Sequence, residues 1–235
     1  MIRDANILDF ADGFLIHACD SASAIGELPL DELKVPFSLV AKYTLRTALM
    51  EVISLGAKPL SASAGFSNDP EYSQSAIEFL MSFLEKMNVP LVISTEKNFE
   101  TSQSGLSVSV VGFAKDIKVG NAPEGVSVYV AGSPKVGDEV VEEKEKILSF
   151  DDFLKLRAQK DIGEMIPVGS SGIFEEAKLL AQNSGLEIEL EMDNTSIHKS
   201  AGPSTCVVFW AMKKPSLNIP IQKIGTLRKK QHANR

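Results

Sequence analysis

Short apolar runs alternate along this chain with stretches whose apolar positions recur every three to four residues. Phe14 to Cys19 (FLIHAC) reads as a strand ending at Asp20. From Phe37 to Leu55 the period changes, and Ala41, Leu45, Ala48, Leu49 and Val52 fall on one face of a helix. Pro36 near its start, Gly56 after its end and Pro59 beyond are the usual punctuation of such an element. Asp69-Pro70 starts a second helix expected to bury Ile77, Leu80, Met81 and Leu84. Val89 to Thr95 predicts a strand ending at Glu96, and Leu106 to Phe113 (LSVSVVGF) alternates small polar with apolar residues, as a half-buried strand does.

Residues 115–125 (KDIKVGNAPEG) break this pattern with charge, two glycines and a proline, and read as a linker. Beyond them strands are expected over Val126–Ala131, Leu186–Met192 and Cys206–Met212, and helices over Phe150–Lys160 and Ile173–Asn183. The last 20 or so residues lack periodicity and predict a strand or extended segment with a frayed basic tail. No internal repeat is visible. The fold class expected is α+β in two domains, residues 1–118 and 119–235, rather than one doubly wound sheet.

Composition narrows the function. The 235 residues carry 24 Lys and Arg against 31 Asp and Glu. Seven of the basic residues and no acid fall in 213–235, so the remainder is strongly acidic. An acidic body repels a phosphate backbone, which argues against a nucleic-acid partner. The same body can meet a phosphate-bearing ligand through divalent cations. Cys19 and Cys206 are far apart with no CxxC spacing, which suits a reduced, cytoplasmic protein. No apolar run approaches the ~18–20 residues of a membrane span, and Asp4, Asp9 and Asp12 stand where a signal peptide needs apolar residues.

Several acids sit at suggestive places. Asp20 and Glu96 each follow an apolar run, Asp4 opens the motif DANIL, and Glu51 lies mid-helix, off the apolar stripe. Carboxylates at strand ends can converge to hold Mg²⁺, which takes one or two carboxylates together with phosphate oxygens and water. Acids at such places also serve as caps and turn residues. After Glu96, the loop with Asn98, Thr101, Ser102, Gln103, Ser104 and Gly105 offers small polar groups and N–H donors to phosphate, without being a Walker A or GxGxxG sequence. VGSSGI (168–173) leads into a helix that Ser170 or Ser171 can cap or that can receive an anion. HKSAGPST (198–205) adds Lys199 and Ser200 in a Gly-Pro turn. His17 fits a sheet histidine, no His, Cys and acid spacing suits zinc, and no nucleophile motif occurs.

Taken in order, these segments resemble the aminoimidazole ribonucleotide synthetase superfamily of ATP-using enzymes. LRTALMEVISLGAKPLSASAGFS (45–67) is similar to its helix, Gly-Ala turn and following strand, with Glu51 where most members have a metal-binding Asp. RDANIL (3–8), ACDSASAIGE (18–27) and STEKN (94–98) resemble its metal and phosphate motifs. The resemblance implies Asp4, Asp20, Glu51 and Glu96 as metal ligands, with Asp20 and Glu96 catalytic. It implies Thr95, Asn98, Thr101, Gln103 and Gly105 at the nucleotide, and Ser170, Ser171, Gly172, Lys199 and Ser200 at the substrate. Two departures stand out: the family's Gly-Gly pair is Ser94-Thr95, and its Ser-Asp-Gly-Leu motif is Ser170-Ser171-Gly172-Ile173, without the Asp.

Those departures, the short second half and the motifs PVGSSGI and KSAGPSTC resemble the compact alpha-ribazole kinase branch. That likeness implies ATP- and Mg²⁺-dependent phosphorylation of the 5′-hydroxyl of a benzimidazole nucleoside in cobamide lower-ligand salvage. It also implies an N-terminal sheet that pairs with a second subunit in a barrel-like homodimer core, and a short C-terminal α/β sandwich. Two other readings remain: another small-molecule kinase of the superfamily, such as thiamine-monophosphate kinase, and a dimeric nucleotide-binding protein without catalysis.

Overall fold

A computed structural model describes residues 4–191 and 195–230. The chain divides into two compact units, Met1–Ile117 and Lys118–Arg235. Arg3 of the first motif, Met192 at the end of an expected strand and Arg235 of the tail lie outside the described residues.

In unit 1, β1 (Ala5–Phe10) and β2 (Gly13–Ser23) form an antiparallel hairpin. The short parallel pair β3 (Ile25–Gly26) and β4 (Leu33–Lys34) leads to α1 (Phe37–Ser54). Then follow β5 (Lys58–Phe66), α2 (Pro70–Lys86), β6 (Leu91–Thr95) and β7 (Gly105–Ala114). The sheet order is β1-β2-β7-β5-β6, antiparallel except for β5 with β6, which α2 connects. A single chain thus makes an open five-stranded sheet and no closed barrel. Asp69 starts α2 as expected: its Oδ1 accepts the Tyr72 N–H at 2.9 Å, and Pro70 follows at the first helical position.

Both helices lie on one face of this sheet. α1 packs on β2, β7 and β5, and α2 packs on α1 and β6. Covered from two sides, α1 buries residues all around its circumference, Arg46 and Glu51 included. The expectation of Glu51 off the buried stripe is therefore corrected: Glu51 is buried, four residues beyond Thr47. Met81 is the reverse case, expected in the core but exposed on α2.

β2 also differs from expectation. It runs past Asp20 to Ser23, because its pairing with β7 continues to Ser23 opposite Gly105. Asp20 is thus inside a strand, opposite Val108, and not at a strand end. β1 went unread in the sequence, since its second half (Leu8, Asp9, Phe10) is exposed throughout and shows no buried-exposed alternation.

Unit 2 contains β8 (Ser127–Gly132), α3 (Glu139–Glu142), α4 (Phe150–Arg157), β9 (Ile162–Pro167) and α5 (Gly172–Asn183). β10 (Glu187–Leu190), a 3-10 turn (Thr195–His198), β11 (Cys206–Ala211) and β12 (Ile221–Arg228) complete it. Its five-stranded sheet has the order β10-β12-β8-β11-β9 and is antiparallel throughout. α5 covers one face through Ile173, Ala177, Leu180 and Ala181, which pack with Val128, Val130, Ile166 and Val208. The strand or extended segment expected near the end is β12 over Ile221–Arg228, beside β8. Its basic side chains meet acids: Lys223 with Glu191, Arg228 with Glu189, and Lys229, just beyond the strand, with Glu124.

Candidate functional site

In unit 1 the charge of Asp4 acts on Asp20. Asp20 follows Ile16 and Ala18 in the strand's alternation, so it faces α1, where Thr47 hydrogen-bonds its carboxylate. Burial pushes its pKa up to about 6, against the hydrogen bonds from the Ser21 N–H and the Thr47 hydroxyl. The negative charge of Asp4 adds to the rise. Asp4 precedes β1, whose first residue Ala5 pairs with Ala18 two positions before Asp20. Glu51 is buried one helical turn beyond Thr47 on the same side of α1.

Desolvation and the charge of a second acid both disfavour the ionised Asp20 carboxylate, and a divalent cation would offset both. Two carboxylates match the number that Mg²⁺ takes from protein when phosphates fill its other positions, so Asp4 and Asp20 fit that group. The set of four acids expected from the sequence does not come together: among the described residues no three His, Cys, Asp or Glu side chains converge as a metal-binding group.

Glu96 has a local role. Its Oε1 accepts the backbone N–H groups of Asn98 (2.6 Å), Lys97 (2.9 Å) and Phe99 (3.3 Å). Those bonds, Asn98 foremost, hold its carboxyl below the ordinary range. The carboxylate thus occupies the nest of N–H groups that its own loop forms, as a turn-capping acid does. Thr95 ends β6, paired with Phe66.

The rest of that loop is bound inside the chain. Thr101 Oγ1 accepts from Asn68 Nδ2 at 2.6 Å and lies 3.2 Å from the Ser67 carbonyl. Gln103 Nε2 donates to the Leu30 carbonyl at 2.8 Å. The Gly105 N–H donates to Asn68 Oδ1 at 2.9 Å, and a Cβ at Gly105 would lie 2.0 Å from Ser67 Oγ. Gly105 therefore permits close approach of two loops, and its N–H already has an acceptor. The sequence reading missed the partners: Asp31, Asn68 and Tyr72. No local pattern marks Asp31, because its partner Ser104 is 73 residues away.

In unit 2 the two small-residue loops meet. The Ala201 N–H donates to the Gly169 carbonyl at 3.1 Å. Gly172 has φ +83°, and a Cβ there would come 2.9 Å from the His198 carbonyl carbon, so only glycine fits. Ser171 precedes α5 without a side-chain capping bond, so the capping expected of it is not made. Ser170 is exposed beside it. Lys199 Nζ reaches both carboxylate oxygens of Glu139 at 2.6 Å, and that ammonium draws the Glu139 pKa down. Ser200 Oγ accepts the Gly202 N–H at 3.3 Å.

No family model matches the chain, and no curated protein matches it in sequence. Solved structures do match in fold. The thiamine monophosphate kinase of Aquifex aeolicus aligns at 16% identity with a TM-score of 0.68, over 96% of this chain and 89% of the other. A structure of AaThiL complexed with AMPPCP and TMP gives 17% identity, a TM-score of 0.69 and coverage of 98% and 86%. Thermotoga maritima PurL complexed with ATP gives 17% identity and a TM-score of 0.61, over 97% of this chain and 38% of that larger one. These proteins belong to the aminoimidazole ribonucleotide synthetase-like superfamily that the motifs resemble. Over nearly its whole length, the chain has the fold of the thiamine monophosphate kinases.

Proposed function

We propose that the protein is an ATP- and Mg²⁺-dependent small-molecule kinase, acting on the 5′-hydroxyl of alpha-ribazole. The observation that carries the kinase reading is the full-length fold match to a protein crystallised with AMPPCP and TMP, combined with the under-neutralised Asp4–Asp20 pair in unit 1. Phosphoryl transfer asks chiefly for positioning and for neutralisation of phosphate charge. Mg²⁺ supplies that neutralisation when bound, and Asp4 and Asp20 are the residues that would hold it. Thr47 orients the Asp20 carboxylate from α1. Glu96 shapes the loop after β6 through its three N–H contacts instead of serving as a metal ligand.

The choice of alpha-ribazole rests on the sequence motifs ACDSASAIGE, PVGSSGI and KSAGPSTC. The engagement of Lys199 by Glu139 is compatible with an acceptor that carries no phosphate. Thiamine-monophosphate kinase is the second reading, favoured by the Aquifex and Stenotrophomonas maltophilia K279a structures, the latter matching at a TM-score of 0.64. The exposed Leu8, Phe10, Leu60 and Val92 on strands of unit 1 support a homodimer built on that sheet. A cytoplasmic setting fits the two free cysteines, and no described helix is long and apolar enough to cross a membrane.

Incubation with ATP and Mg²⁺ and either alpha-ribazole or thiamine monophosphate separates the two readings. Formation of the nucleoside 5′-phosphate supports the first, and thiamine diphosphate the second. ATP bound but consumed with neither acceptor would leave only a nucleotide-binding role.

A further inference from the structure

We propose that Asp31 is a positioning residue that pins the segment 24–35 to the loop preceding β7 and thereby fixes the nucleotide-binding edge of unit 1. This deepens, and rests on, the kinase reading above. Asp31 lies between β3 and β4 and is 6% exposed. Its Oδ1 accepts the Ser104 N–H at 2.7 Å, and its Oδ2 accepts the Ser104 hydroxyl at 2.6 Å and the Leu28 N–H at 2.8 Å. With the Ser104 proton given to Asp31, the Tyr72 hydroxyl donates to Ser104 Oγ at 2.5 Å and accepts the Glu27 N–H at 2.9 Å. The chain of donors thus runs one way, from Glu27 through Tyr72 and Ser104 to the carboxylate.

Backbone contacts run alongside. Ala24 N–H donates to the Ser104 carbonyl at 2.9 Å and Leu30 N–H to the Ser102 carbonyl at 3.1 Å. On the far side of the loop, buried Asn68 holds Thr101, Gln103 and Gly105. Gly26 leaves the space this needs, since a Cβ there would lie 2.2 Å from Ser104 Oγ. Glu27 Oε2 also accepts the Phe37 N–H at 3.1 Å, at the start of α1, where Pro36 provides no side-chain cap.

The geometry couples three things. The segment begins directly after β2, four residues beyond Asp20, and its other anchor is the loop that begins at Glu96. α1, which presents Thr47 to Asp20, starts from the same segment. Removing the Asp31 charge leaves the Ser104 N–H and hydroxyl and the Leu28 N–H with a weaker acceptor, at a buried place where that matters. The core of α1 against the sheet is apolar and does not depend on it.

Full-length wild type, Asp31→Asn and the milder Ser104→Ala are compared by hydrogen exchange and by titration with AMPPCP and Mg²⁺. Asp31→Asn is expected to speed exchange of the 24–31 and 102–105 amides about tenfold or more while α1 and α2 keep their protection. The affinity for AMPPCP with Mg²⁺ should fall about tenfold, and in turnover KM for ATP should rise with kcat nearly unchanged. Ser104→Ala moves both readouts in the same direction by less, and decides the matter if Asp31→Asn does not fold. Unchanged exchange, or equal nucleotide affinity in wild type and variants, overturns the proposal alone. Failure of wild type to bind AMPPCP with Mg²⁺ overturns the kinase reading and the proposal with it.

Discussion

The two sheets solve burial differently. In unit 1, β7 alternates Leu106, Val108 and Val110, all buried, with Ser107, Ser109 and Val111, which face away from the helices. In unit 2, β8 buries Val128, Tyr129, Val130 and Ala131 in succession, and β11 buries Cys206 through Phe209. A strand with one buried face alternates, whereas a strand covered on both faces reads as a continuous apolar run. Unit 2 therefore completes its own core, and among its described residues unit 1 covers its sheet with helices on one face only.

Charge follows the same division. Unit 2 matches cations with acids, as in Lys135–Glu143, Lys199–Glu139 and Lys223–Glu191. Unit 1 sets Asp4 beside the half-buried Asp20. The exposed sheet face and the raised Asp20 carboxyl both belong to unit 1.

The largest expected effect breaks the self-contained unit. Val208→Asp places an unpaired charge between two covered faces of the second sheet. It should cost at least about 4 kcal/mol, seen as loss of cooperative unfolding in urea.

A smaller effect sharpens the charge contrast. The native pKa of Asp20, about 6, lies above its ordinary 3.8, so the folded state binds the proton more tightly than the unfolded chain. Stability from this group is full below pH 4 and is lost as pH rises through about 6. Asp20→Asn should therefore stabilise the metal-free protein at pH 7.5 by at most about 3 kcal/mol, with no difference from wild type at pH 3.5. Thermal unfolding at both pH values without divalent ions measures it.

The smallest effect on folding belongs to the open sheet face. Leu8→Arg combined with Phe10→Arg should change stability by no more than about 1 kcal/mol, because both side chains are already exposed. The same variant should shift the species seen by light scattering from dimer to monomer. An unchanged mass would remove the homodimer from the proposed function.

Much of this fold was legible because periodicity reports burial. The helix over Phe37–Ser54, the Asp69 cap and the alternating β7 followed from spacing and punctuation alone. β1, with an exposed second half, and β9, buried nearly throughout but interrupted by Gly163 and Glu164, carried no period to read. In the site, Asp20 and Asp4 could be singled out by their motifs. The local role of Glu96 was foreseeable only as the general habit of acids in turns. Glu51 misled because helical phase relative to one apolar stripe does not report which polar positions are buried as well. Asp31, Asn68 and Tyr72 stayed hidden because their contacts join loops far apart in sequence, which no local pattern encodes.

In the proposed function, Asp4 and Asp20 bind nucleotide through Mg²⁺. Isothermal titration of the wild-type protein and Asp20→Asn with AMPPCP, each with and without Mg²⁺, addresses it most directly. The account predicts binding to wild type only with Mg²⁺, weakened at least about 100-fold in Asp20→Asn. Binding of equal strength without Mg²⁺, or an Asp20→Asn protein that binds as wild type does, would contradict it.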